Sequence, residues 1–183
     1  MMTIALTVLT GLLYPLVVTG VAQGLFSSQA NGSLVKVNGK VVGSSLLGQN
    51  FAGAKYFQPR PSAAGADGYD GLSSSASNLG PSNPDLLKTI DDRVVAYRRA
   101  NGLASDARVP VDAVTASASG LDPDISIANA DIQAARVART RSLPLATVLA
   151  AVARHTQNRR WGFLGERVVN VLELNLDLDR AAK

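Results

Sequence analysis

Cysteine is absent from the 183-residue chain. That excludes structural disulfides, thiolate nucleophiles and cysteine-ligated metal centres. Histidine occurs once, at His155, and glutamate only at Glu166 and Glu173. Charged residues make up 17%, below the usual quarter, and aromatics 5%. With aromatics so sparse and no basic–aromatic module, the net charge of +4 reads as a mildly basic surface and not as a nucleic-acid footprint. Phosphate-cradling motifs are missing too. The chain has no GxxxxGK[ST], no GxGxxG and no Asp-Lys-Thr-Gly phosphorylation motif, so ATP hydrolysis is not expected to reside here.

No charged side chain precedes Lys36. Residues 4–26 form an uncharged, largely apolar run, which as a helix spans roughly 35 Å against a hydrocarbon core of roughly 30 Å. Pro15 would damage a soluble helix but is tolerated in a membrane. A cleaved signal peptide would need a basic n-region and a shorter core, so the run is read as a retained transmembrane anchor. Gly11 and Pro15 lie on one small-residue face, and Gly20 and Gly24 form a GxxxG. All four are candidate contacts for a partner helix.

Residues 27–33 read as a linker, and 34–183 as one soluble domain. Apolar-alternating runs around Asn38-Gly39 predict a hairpin. The long Gly-, Ser- and Pro-rich stretch 51–84 is expected to be an ordered excursion, because prolines restrict the unfolded chain and the stretch carries aromatics. Helices are predicted over 84–100, capped by Asn83, over 126–140, capped by Ser126, and from Pro144 at the first helical position to about 156. Alternation of Leu172, Leu174, Leu176 and Leu178 with Glu173, Asn175 and Asp177 predicts a strand over 168–178 with a solvated polar face. The fold class is α+β (mixed α/β) with one N-terminal transmembrane helix.

Three constellations have residue types that could carry chemistry. Ser117 or Ser119 with His155, oriented by Asp112 or Asp122, is the only arrangement suggesting a serine hydrolase, and GxSxG is not met. Asp112, Asp122 and Asp124 lack EF-hand spacing and read as turn residues. Arginines at 98, 99, 136, 139, 154, 159 and 160 sit largely near helix ends, where cations oppose the carbonyl dipole. A site for an acidic partner or lipid phosphate is the sharper reading.

Several runs resemble the C subunit of the Kdp potassium-transporting ATPase. They are Tyr14-Pro15-Leu16, Gln29-Ala30-Asn31-Gly32-Ser33, Tyr56-Phe57-Gln58-Pro59-Arg60-Pro61-Ser62-Ala63, Ser77-Asn78-Leu79-Gly80-Pro81-Ser82-Asn83-Pro84, Val114 to Pro123, Arg136-Val137-Ala138 and Val169-Asn170-Val171-Leu172-Glu173-Leu174-Asn175. The family often carries Ser-Gly-Gly-Ser before Asn78. Here Ser74-Ser75-Ala76-Ser77 has neither glycine. The resemblance implies a single-pass inner-membrane subunit of a potassium uptake complex, with a channel-like potassium-binding subunit and a P-type ATPase subunit as partners. It implies no catalytic site of its own, an extracytoplasmic domain and a role in assembly. The alternative it carries is a catalytic chaperone raising ATP affinity, with ATP reached through the ATPase subunit. Tyr56, Phe57, Arg60 and Asn78 join the helix residues as candidate partner contacts, Tyr, Phe and Arg being common at interfaces.

Overall fold

The computed structural model describes residues 1–181. The chain divides into two units, Met1–Leu46 and the remainder from Leu47 onward.

In the first unit, helix α1 runs Met2–Leu25 and none of its apolar window is buried. It is α-helical over Met2–Val8 and Tyr14–Leu25 and widens into a π turn over Leu9–Leu13. Pro15 has no N–H to donate, and its ring crowds the carbonyl one turn back. A wider turn just ahead accommodates both. A single turn, α2 (Ser27–Ala30), follows. Asn31 then folds back onto Gln23, the two side-chain amides exchanging hydrogen bonds of 3.1 and 3.3 Å. Strands β1 (Leu34–Val37) and β2 (Lys40–Ser44) form the expected hairpin. Asn38 and Gly39 both take positive φ, 50° and 78°, as a two-residue turn matched to strand twist requires.

The second unit begins with residues 47–83, which contain no regular strand or helix. Helix α3 (Pro84–Asn101) is capped by Asn83, whose side chain accepts from the N–H groups of Asp85 and Leu86, and is ended by Gly102 in the left-handed conformation. Val111–Ala113 is a 3₁₀ turn. Strand β3 (Asp124–Ser126) leads into α4 (Ile127–Arg141), where Ser126 Oγ accepts from Asn129 N–H at 3.1 Å. Helix α5 is Leu145–Arg154, with Pro144 one position earlier than expected, as the N-cap. Strands β4 (Thr156–Gln157) and β5 (Val168–Asn170) complete an antiparallel sheet of order β3-β5-β4.

The predicted strand over 168–178 is corrected. Only Val168–Asn170 is strand, and Val171–Ala181 is a helix, α6. Asn170 turns the chain, its side chain accepting from Glu173 N–H at 3.1 Å in the manner of a cap. Val171, Leu174, Asn175 and Leu178 then fall on one helical face and are all buried. The core joins these to Ile125, Ala130, Ala134 and Val137 of the α4 region, Val148, Ala151 and Val152 of α5, Val169 of β5, and Phe57 from the irregular segment.

Candidate functional site

The irregular segment has no strand partner, so its backbone polar groups need other satisfaction. Side-chain amides supply it. Asn175 on α6 accepts from Phe57 N–H at 2.8 Å and donates to Phe57 C=O at 2.9 Å. Gln133 on α4 does the same for Gln58, at 2.8 and 3.0 Å. Two amides thus reproduce, side by side, the pairing a neighbouring strand would give. The Phe57 ring enters the core at 0% exposure.

Arg136, one turn beyond Gln133, extends the clamp. It is 4% exposed. Its guanidinium donates to Asn101 Oδ1 at 3.0 Å, Gln133 Oε1 at 2.6 Å, and the carbonyls of Tyr56 at 3.0 Å and Ala54 at 2.5 Å. Every one of these acceptors is neutral. Burial lowers the Arg136 pKa from its ordinary value, but a guanidinium stays protonated, and its five donors suit several carbonyl dipoles at once. Tyr97 on α3 closes the network, donating to Asn129 Oδ1 at 2.8 Å, and burial pushes its phenol well above the ordinary range.

A second set of contacts fixes residues 60–75. Arg60 pairs with Asp122 at 2.9 Å, with both side chains about a quarter to a third exposed. Tyr69 donates to Arg60 C=O at 2.6 Å, and burial raises its phenol to about 12. Ser62 Oγ donates to Gly120 C=O at 2.5 Å and accepts from the N–H groups of Ala64 and Tyr69. Gly120 is required twice over. Its φ is +67°, and a Cβ there would lie 2.7 Å from Ala64. Ser74 Oγ and Ser75 N–H both donate to Ser119 C=O at 3.0 Å. The 74–77 stretch is therefore tied to the 117–120 turn.

A scan against family models matches residues 1–180 to "KdpC: K+-transporting ATPase, c chain". Among curated proteins, the "Potassium-transporting ATPase KdpC subunit" of Mycobacterium tuberculosis (strain ATCC 25618 / H37Rv) is 56% identical over 98% of this chain and 94% of its own length. The protein of that name from Variovorax paradoxus is 58% identical over 97% and 91%, and that from Koribacter versatilis 51% over 98% and 91%. The chain belongs to the KdpC family.

In this KdpC-family chain the residues singled out from sequence separate into distinct environments. Gly11, Pro15, Gly20 and Gly24 lie on the exposed helix α1. Tyr56 is half-buried, with its ring 5.5 Å from Phe51 and 5.2 Å from the Arg141 guanidinium. Arg60 holds Asp122, and Asn78 is exposed at positive φ. Phe57 offers no surface to a partner in this conformation, because its ring belongs to the core.

The groups weighed for hydrolysis do not converge. His155 faces Asp177 at 3.2 Å and Glu173 at 3.9 Å, and not Asp112 or Asp122. Asp112 is occupied by Ser126 and Asn129, and Ser117 is buried. Asp112, Asp122 and Asp124 share a cleft of about 350 Å³ with Arg60, Glu166 and Arg167. Among the described residues no group of three carboxylates or histidines is placed to hold a metal ion.

Sequence reasoning missed the amide clamp. Asn175 was assigned to a solvated strand face and is 0% exposed. Asn129 and Gln133 were not singled out, although their spacing with Arg136 on one helix stripe was readable. It also passed over Trp161 and Phe163, which are 80% and 69% exposed.

Proposed function

We propose that the chain is a non-catalytic accessory subunit that stabilises the assembly of the channel-like and P-type ATPase subunits of a potassium uptake complex. One observation carries this reading. The largest irregular segment is held rigid by a buried polar clamp, and a fixed, preorganised loop surface is what a subunit contact needs. Exposed or half-buried Tyr56, Arg60 and Asn78 are the candidate contacts there, and Gly11, Pro15, Gly20 and Gly24 those within the bilayer. Arg136, which would be the natural triphosphate ligand by charge, is consumed by carbonyls and amides. The 74–77 stretch lacks glycines and is tied to Ser119.

In this proposal the soluble part lies outside the cytoplasm, on a single-pass anchor in the inner membrane. Ser105, exposed in the loop after α3, tests this. A Ser105→Cys variant in intact cells should react with a membrane-impermeant maleimide from outside. Labelling only after the cytoplasmic side is opened, together with sub-millimolar ATP binding by the purified full chain, would make the catalytic-chaperone reading the better one.

A further inference from the structure

Between β4 and β5 the chain leaves the sheet for ten residues, 158–167, and makes a small hairpin of its own. Arg160 and Leu164 exchange both backbone hydrogen bonds, at 2.9 and 3.0 Å, and Gly162 N–H donates to Arg159 C=O at 3.0 Å. Three residues form the tip: Trp161, Gly162 and Phe163. Trp161, the chain's only tryptophan, is 80% exposed, Phe163 69% and Leu164 45%. Every residue from 157 to 167 is exposed. In a chain with few aromatics, a tryptophan and a phenylalanine on one exposed tip form an apolar surface without a partner in its own fold.

The tip is also costly in conformation. Trp161 has φ +54°, in the region that glycine and asparagine populate and bulky residues avoid. Gly162 beside it also has positive φ, +83°, at no such cost. The charges around the tip are lopsided. Arg159 is paired with Glu166 at 2.8 Å, whereas Arg160 and Arg167 have no ion pair among the described residues. A net positive rim therefore surrounds the aromatics.

We propose that this hairpin is a docking anchor that inserts Trp161 and Phe163 into an apolar socket with an acidic rim on a membrane-embedded partner subunit. The inference rests on the assembly reading above and names a surface for it. The rival occupant is the lipid interface, which also attracts tryptophan and arginine. A fluid bilayer makes no demand on the direction in which the side chain leaves the backbone, so the cost of positive φ at Trp161 brings nothing there. A shaped socket rewards a tip backbone fixed in advance by the paired Arg160–Leu164 hydrogen bonds, because ordering on binding is then smaller.

The deciding variant is Trp161→Gly in the full chain, co-expressed with the partner subunits and captured in mild detergent. Glycine relieves the positive φ, so thermal melting of the purified chain should hold or rise. Recovery of partner subunits should fall tenfold or more. A second variant, Arg160→Glu with Arg167→Glu, should lower recovery and leave melting unchanged. Full chain reconstituted in anionic vesicles without partners should keep the red-shifted emission of a solvated tryptophan, which here reports one site. Wild-type recovery by Trp161→Gly would overturn the proposal. So would a fall in its melting, which would make Trp161 structural, or a blue shift in vesicles, which would assign the tip to lipid. If the wild-type chain itself captured no partner, the assembly reading would fail first, and the two failures are thereby distinguished.

Discussion

Arg136 shows how a single buried cation can organise a loop. Its four acceptors come from two helices and two loop carbonyls, so its removal strands several buried polar groups at once. Each stranded group costs about 1–3 kcal/mol. Arg136→Met should therefore destabilise the second unit by about 3 kcal/mol or more, a drop in melting temperature of roughly 10 °C for a domain this size. Lysine should rescue little, since one ammonium cannot span the same acceptors. A thermal melt of both variants decides it, and unchanged melting would refute the clamp. Asp124 gives a prediction of opposite sign. Burial and then Asp122 raise its pKa, while the bond from Asn170 lowers it. A raised folded pKa means that the native state holds its proton more tightly than the unfolded chain. This group's contribution is most favourable at acid pH and is lost as pH rises from the unfolded value, about 3.9, through the raised native one. Asp124→Asn keeps an oxygen for Asn170 and removes the charge. Melting of the variant should exceed wild type at pH 7, and the difference should vanish near pH 3. A variant less stable at pH 7 would show that the carboxylate is held favourably.

At the scale of elements, punctuation was legible and periodicity was not always. Asn83-Pro84, Ser126 and Asn38-Gly39 each act by local backbone chemistry, and each placed its element boundary correctly. The 168–178 stretch failed because leucines spaced by two satisfy a strand, whereas Val171, Leu174, Asn175 and Leu178 satisfy a helix, and local spacing does not choose between them. What chooses is tertiary: Asn170 caps the helix, and Asn175 is needed inside to pair with Phe57. Asn170→Ala should cost about 1 kcal/mol from the cap alone and more with the lost bond to Asp124. Hydrogen exchange would report this as faster opening of α6 than of α4. Equal protection in variant and wild type would mean that the cap contributes nothing. The clamp itself was hidden for a related reason. Amide side chains that mimic a strand edge carry no sequence period, and only the packed structure shows which backbone they face.

For the whole molecule, the resemblance carried more than composition did. Composition gave a membrane helix, a mixed domain and a list of excluded chemistries. The specific runs, Tyr56 to Ala63 among them, pointed to the family, which the match over residues 1–180 establishes. Those runs now have physical content. Residues 56–63 supply the core ring, the clamped backbone and the Arg60–Asp122 pair, and 114–123 supply the turn that receives Ser62, Ser74 and Ser75. The runs therefore mark one interlocked loop layer, held in place as a unit and suited to meeting another protein. On the assembly proposal, this layer and the membrane helix together hold a complex in place. The direct measurement is quantitative recovery, in mild detergent, of the ATPase subunit on an affinity-tagged channel-like subunit, with and without this chain. A fixed stoichiometric ratio is expected with the chain present, and loss of most of the ATPase subunit without it. Equal recovery in its absence would contradict the claim.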